Sequence, residues 1–134
     1  MQTIIIDATN ATLGRLASYA AKQSLLGHKI IIVNSEKAIV SGRKETTAEH
    51  YRIKKARGGS SQRGPFFPKS PERILKRTIR GMLPNYREGR GKEALKRIIC
   101  HQGIPEELKD KKLIKAGKQK TTAYMSIEEI TKKI

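Results

Sequence analysis

Two isoleucine triplets, separated by one stretch of helical periodicity, set the frame of this chain. Ile4-Ile5-Ile6 is a continuous β-branched run, the pattern of a strand covered on both faces. Residues 7–12 are polar loop, with Asn10 or Thr12 suited to cap a helix. Leu13, Leu16, Ala17, Ala20 and Ala21 then recur at helical spacing as far as Gly27, a suitable helix stop. Lys29 to Val33 supplies a second buried strand. A strand, a helix and a strand of this length form a βαβ unit, which predicts parallel strands joined by a right-handed crossover.

Beyond this unit the apolar pattern thins. Residues 35–40 predict a short third strand ahead of Ser41-Gly42. Residues 43–57 carry weak periodicity (Ala48, Tyr51, Ile53) amid charge and predict a largely exposed helix. Residues 57–70 hold three glycines and two prolines, which disfavour a helix or a central strand and predict an extended arm. Ser70-Pro71-Glu72 combines a cap, a first-turn proline and an acid at the positive end, so a helix begins there. At ~100° per residue, Arg73, Lys76, Arg77 and Arg80 fall on one stripe, while Ile74, Leu75, Thr78, Ile79 and Met82 fall opposite. The helix should end between residues 81 and 84, with residues 86–91 a flexible basic connector. Lys92, Lys96 and Arg97 against Ala94, Leu95, Ile98 and Ile99 predict a short amphipathic helix running into a strand at Ile99-Cys100. Residues 109–120 read as a solvated loop. Ser126 to Glu129 has the capping-box pattern, and Ile127, Ile130 and Ile134 line one face of a terminal helix docked on the body.

Composition limits what these elements can be. Leu, Ile, Val and Phe make up 30 of 134 residues, just above the level at which a highly charged chain stays disordered, so one modest core fits and two do not. The longest aliphatic run, Ile30 to Val33, is far short of the ~20 residues a spanning helix needs. The first residues lack the basic leader and apolar stretch of a secretory signal, so a cytoplasmic location is expected. The single cysteine, Cys100, excludes an intrachain disulfide and a multi-cysteine zinc site.

Charge changes the picture most. The chain has 29 Lys and Arg against 12 Asp and Glu, a formal net charge of +17. Residues 1–41 contribute +2, residues 42–99 contribute +12 and the rest +3, and ten of the 11 arginines lie in the middle segment. Thirteen of the 30 large apolar residues lie in the first 41, so the N-terminal third builds core and the middle meets a partner. With 17 bases against 5 acids in that middle segment, most cations have no possible intrachain partner. Nucleic acid is the first candidate polyanion, an anionic membrane the second, and acidic soluble partners rank lower. Arginine matches phosphate with a planar fork of donors, which favours specific phosphate contacts. Only 6 aromatic residues and no Trp give little for stacking single-stranded bases, so folded, duplex or junction RNA fits better, and the Phe66-Phe67 pair reads as an anchor under the arm.

Catalytic signals are weak. The first strand-to-helix turn has neither the glycine spacing of a dinucleotide site nor a phosphate-loop Gly-Lys-Ser/Thr, so no cofactor is expected. Gly14-Arg15 at a helix start could hold one phosphate, or Gly14 could serve close packing with Arg15 merely solvated. His28, His50, Cys100 and His101 are scattered without metal-ligand spacing. Asp7 reads as a loop or cap residue before it reads as an acid catalyst. An RNA-processing or RNA-modifying enzyme and a DNA-compacting architectural protein are the alternatives from other classes.

At Ile79-Arg80-Gly81-Met82-Leu83-Pro84 and Gly89-Arg90-Gly91-Lys92-Glu93-Ala94-Leu95 the chain resembles the family of the thirteenth protein of the large ribosomal subunit, in its archaeal and eukaryotic branch. Asp7-Ala8, Leu13-Gly14-Arg15-Leu16-Ala17-Ser18, Val33-Asn34-Ser35-Glu36-Lys37-Ala38, Ser41-Gly42 and Gly64-Pro65-Phe66 agree in order, so the resemblance spans roughly residues 3–134. It implies a single three-layer α/β/α domain around a small, mainly parallel four-stranded sheet. It also implies a non-catalytic large-subunit protein that binds rRNA, joins the particle early and sits beside neighbouring ribosomal proteins, with no membrane and no small-molecule substrate. Carried over by position, the implied rRNA contacts are Arg15; Arg43, Lys44, Arg52, Lys54, Lys55 and Arg57; Arg63 and Lys69; Arg73, Lys76, Arg77 and Arg80; and Arg87, Arg90 and Lys92.

Overall fold

The computed structural model describes residues 2–57, 67–109, 111, 113–115 and 123–133. Most of the arm predicted at residues 57–70, Arg63 included, most of the loop predicted at 109–120, and Ile134 lie outside the described residues. In chain order the elements are β1 (Thr3–Asp7), α1 (Leu13–Leu25), β2 (Lys29–Val33), β3 (Ile39–Ser41), α2 (Lys44–Ala56), α3 (Pro71–Gly81), α4 (Gly89–Lys96), β4 (Ile98–Cys100), β5 (Ile114–Lys115), β6 (Tyr124–Ser126) and α5 (Ile127–Lys133). Short 3-10 turns occupy Ser35–Lys37 and Glu106–Leu108.

The two isoleucine runs pair side by side, as their pattern requires. β1 and β2 are parallel with Ile4 beside Ile30 and Ile6 beside Ile32. β4 joins β2 and β5 joins β1, both parallel, giving the order β4-β2-β1-β5. Because side chains alternate along a strand, this register puts Ile4, Ile6, Ile30, Ile32 and Ile98 on one face. There they pack with Leu13, Leu16, Ala17 and Ala20 of α1, Ile74, Leu75 and Ile79 of α3, and Ile127 and Ile130 of α5. Ile6, Ile30, Ile32 and Ile98 are fully buried, each contributing ~1.5–3 kcal/mol of burial free energy. On the opposite face Ile5 and Val33 meet Leu108 of the second 3-10 turn, with Ile31, Ile104 and Leu113 packed around them. That outer layer is therefore thin among the described residues, and the main core lies on the α1 and α3 side.

Three sequence expectations change in detail. The strand expected at residues 35–40 is a 3-10 turn followed by β3, and β3 pairs antiparallel with β6 in a separate two-stranded sheet. The cause is Asn34, whose left-handed backbone (φ 58) turns the chain away from β2. The fourth strand of the main sheet, β5, comes instead from residues read as solvated loop; with two exposed residues it has no apolar pattern to announce it. Gly89 to Gly91 form the first turn of α4 rather than connector. Gly89 takes a φ of 65 that suits glycine, and Gly91 lets α4 approach the backbone carbonyls of Pro84 and Asn85, so both glycines serve a tight entry to the helix.

The C-terminal ends of the central strands are tied together around Asp7. One of its carboxylate oxygens, Oδ1, accepts from the Thr9 amide (3.0 Å), the Thr9 hydroxyl (2.7 Å) and the Asn34 amide (3.0 Å). The Asn34 backbone N–H donates to the Gly103 carbonyl, and Glu36 accepts from the Gly103 amide at 3.0 Å. Burial alone would raise the Asp7 pKa, but these hydrogen bonds, with the charge of Lys115, outweigh it and hold the carboxyl below its ordinary 3.8. A carboxyl depressed on folding stabilises the fold above its unfolded pKa, and that contribution fades as pH falls through the folded value. Urea unfolding of wild type and Asp7→Asn from pH 7 to pH 3 therefore shows a stability gap that is constant above about pH 5 and shrinks below about pH 4. A gap that does not change with pH contradicts the assignment.

Candidate nucleic-acid interface

The cationic surface begins with the way α3 is seated. Its start is set by the Ser70 carbonyl, which accepts from the amides of Arg73 (3.2 Å) and Ile74 (3.1 Å), with Pro71 in the first turn. The Ser70 side chain makes no capping bond, so the helix start read at Ser70 holds while its capping group is backbone. Ile74, Leu75 and Ile79 are buried against the sheet and α1, which fixes the rotation of the helix about its axis. Arg73, Lys76, Arg77 and Arg80 consequently project to the other side, as the helical spacing predicts. Thr78 lies at the boundary and donates its hydroxyl to the Ile74 carbonyl, and Met82, expected in the core, is 43% exposed beyond the end of the helix.

The four cations of α3 surround a cleft of about 340 Å³ whose remaining walls are Leu95 of α4 and Pro68. Among the described residues, Arg73, Lys76 and Arg80 make no ion pair with a carboxylate. Glu72, the nearest acid on the helix, accepts instead from the Gln102 side-chain amide at 2.6 Å.

Three aromatic rings hold Arg77 and Arg80 of this face, and their neighbours Lys54 and Arg87, in place. Phe67 is buried, edge-on to Tyr51 with ring centroids 5.8 Å apart, and the Arg77 guanidinium lies 4.7 Å from the Phe67 centroid. Lys54 sits 5.2 Å from the Tyr51 ring and 5.9 Å from Phe67, while Lys55 donates to the Phe67 carbonyl at 3.2 Å. Tyr86 carries Arg80 at 4.7 Å and Arg87 at 5.4 Å. Each such contact is worth ~0.5–1 kcal/mol at an exposed site and removes rotamer freedom that binding would otherwise have to remove. Phe67 thus acts as an anchor, as read from sequence; Phe66 lies outside the described residues. The roles of Tyr51 and Tyr86 under the cations had no sequence signal beyond the closeness of Tyr86 to Arg87.

The other predicted contacts are spread more widely. Arg15 is exposed on the first turn of α1, where a Cβ on Gly14 would meet open space, so close packing is not what that glycine serves. Arg43 lines a second recess of about 390 Å³ with Thr46, Thr47 and His50. Arg57 at the end of α2, Lys69 just before α3, Arg87 just before α4, and Arg90 and Lys92 on α4 are all exposed. Arg52 pairs with Glu49 at 2.8 Å, and Lys44 with Glu129 of α5 at 3.5 Å. The outer face of α2 presents Glu45, Glu49 and an Ile53 that is 48% exposed, so that helix is not uniformly cationic. Arg97 is structural, its guanidinium donating to the Ser24 carbonyl at 2.8 Å and closing the end of α1.

Cys100, at the end of β4, packs partly buried against the main core. Burial pushes its thiol up to about 12; Lys76 draws it down and Glu72 raises it further, both by smaller amounts. Since the thiolate is the reactive form, the native protein resists iodoacetamide at pH 8 and alkylates readily only after unfolding, which mass spectrometry of the intact chain reads directly. Rapid native alkylation contradicts that burial. Among the described residues, no group of three His, Cys, Asp or Glu side chains is placed to hold a metal, and no helix is long and apolar enough to cross a membrane.

Fold and surface together define a small, strongly basic α/β protein whose cations are gathered on one helix face and set around a cleft. The chain belongs to the family Ribosomal protein L13, whose profile matches residues 1–107. It is 46% identical to the large ribosomal subunit protein uL13 of Methanosarcina barkeri over 136 residues, covering 97% of this chain and 96% of the relative. It is 42% identical to the protein of that name from Archaeoglobus fulgidus, covering 96% of this chain and 85% of the relative. Its identity to the Methanocaldococcus jannaschii protein of that name is also 42%, with 96% and 94% coverage. Family membership makes this chain a structural protein of the large ribosomal subunit, not an enzyme, and places it in the cytoplasm as part of the ribosome.

Proposed function

We propose that this protein binds large-subunit rRNA by phosphate contacts centred on the exposed face of α3, and that it supports early assembly of the subunit next to other ribosomal proteins. The observation that supports this reading is the arrangement of Arg73, Lys76, Arg77 and Arg80. A buried stripe holds them outward as a group, aromatic rings position two of them, and no described carboxylate neutralises Arg73, Lys76 or Arg80. Four like charges on one short helix repel one another, and a polyanion relieves that repulsion. Lys54, Lys55, Arg57, Lys69, Arg87, Arg90 and Lys92 extend the surface, and Arg15 and Arg43 add separate phosphate contacts. Arg63, outside the described residues, is included as a further phosphate contact by its place in the sequence alone. Lys44 and Arg52 contribute at the margin, since each already has a carboxylate partner.

The test is binding of the purified protein to deproteinised large-subunit rRNA as salt is raised, with duplex DNA as competitor. The expected result is a steep linear fall of log affinity with log salt and retention of rRNA against DNA. A shallow salt dependence, or displacement of rRNA by an equal mass of DNA, contradicts the proposal.

A further inference from the structure

A row of phosphates needs only a convex line of cations, yet the four cations of α3 surround a recess with an aliphatic wall. Leu95, half-buried on α4, and Pro68, which has no amide hydrogen to donate, form the apolar part of that recess. At about 340 Å³ it lies at the small end of the ~300–1,000 Å³ range of ligand clefts, the size of one compact chemical unit rather than of a duplex groove. The occupant that suits both parts of the lining carries negative charge on one side and a flat, weakly hydrated surface on the other. A nucleotide displaced from its stack has that character, with phosphates along one edge and base faces behind them. Arg80, held on the Tyr86 ring at 4.7 Å, is already positioned at the rim for such a ligand.

We propose that the cleft between α3 and α4 seats a single unstacked nucleotide of the bound RNA. Its phosphates lie on Arg73, Lys76, Arg77 and Arg80, and its base or sugar rests against Leu95 and Pro68. This rests on the proposal that RNA is bound through α3, and it adds the kind of RNA feature recognised: a bulge or junction nucleotide, for which little unstacking energy has to be supplied.

The experiment compares two RNA hairpins of identical stem, one continuous and one carrying a single bulged 2-aminopurine, with the full-length protein. The expected result is about tenfold tighter binding of the bulged hairpin and a change in 2-aminopurine fluorescence on binding, both lost in Leu95→Gln while the salt dependence stays as in wild type. Equal affinity for the two hairpins, with unchanged fluorescence, overturns the nucleotide seat. A steep salt dependence in that same experiment would leave phosphate binding standing, and a shallow one would remove it as well. A fluorescence change that survives in a folded Leu95→Gln protein overturns the assignment of the apolar wall. The wild-type fluorescence reading stands whether or not that variant folds.

Discussion

Replacing Arg73, Arg77 and Arg80 together with glutamine lowers affinity for large-subunit rRNA about a hundredfold at moderate salt, and flattens the salt dependence by roughly 2–3 units of log–log slope. The size follows from three charge-assisted contacts, each contributing about 1 kcal/mol or more in a surface setting, with one phosphate's worth of counterion release lost per arginine. The fold should survive the change, because the buried side of the helix, Ile74, Leu75 and Ile79, is untouched. Arg52→Gln is the informative comparison. That guanidinium already pairs with Glu49 at 2.8 Å on the outer face of α2, so its loss alters affinity by less than about twofold. Filter binding of wild type and both variants from 50 to 300 mM salt checks the pair of expectations. A loss in Arg52→Gln one third as large on the log scale as in the triple variant, about five-fold and so the same loss per charge removed, would show that binding follows net charge rather than the α3 face.

The largest expected effect on stability comes from a single added methyl group. A Cβ at Gly91 would lie against the backbone carbonyls of Pro84 and Asn85, which cannot swing aside as a side chain can. To relieve the contact α4 must shift as a unit, and Ala94, fully buried one turn later, must leave its packing against the sheet-side core. Gly91→Ala therefore costs about 3 kcal/mol and lowers the melting temperature by roughly 10 °C. Gly14→Ala runs the other way. Its Cβ meets nothing within 4 Å, so the helix gains from the lost backbone freedom of the unfolded chain, by up to about 1 kcal/mol. Calorimetry of the two variants beside wild type decides between a close-approach glycine and a merely flexible one. A neutral Gly91→Ala removes the packing role assigned to that residue.

How much of this could be read from the residues depends on where apolar periodicity was strong. The isoleucine runs specified β1 and β2 because strands buried on both faces leave an unbroken apolar signature, and α1 between them carried a clean stripe ending at Gly27, whose φ is 101. On α3 the two stripes were legible together, since burial of Ile74, Leu75 and Ile79 determines where Arg73, Lys76, Arg77 and Arg80 must point. What could not be read was set by long-range contacts. β5 is two exposed residues paired with β1, and β3 finds its partner in β6 near the other end of the chain. Arg97 looks in sequence like one more surface cation, and only folding brings it to Ser24, 73 residues away. The ring contacts of Phe67 and Tyr86 are likewise a product of the fold: they join side chains from α2, α3 and the segments beside α3. Sequence located the charge, whereas tertiary structure turned part of it into a cleft.

The central claim is that the α3 face is covered by RNA in the assembled particle. Arginine-directed modification with phenylglyoxal, read by peptide mass spectrometry, tests it on this protein free in solution and within purified large subunits. Arg73, Arg77 and Arg80 should react in the free protein and be protected in the subunit, with protection lost when the subunit is treated with ribonuclease. Reaction of these three arginines at undiminished rates inside intact subunits would contradict the account.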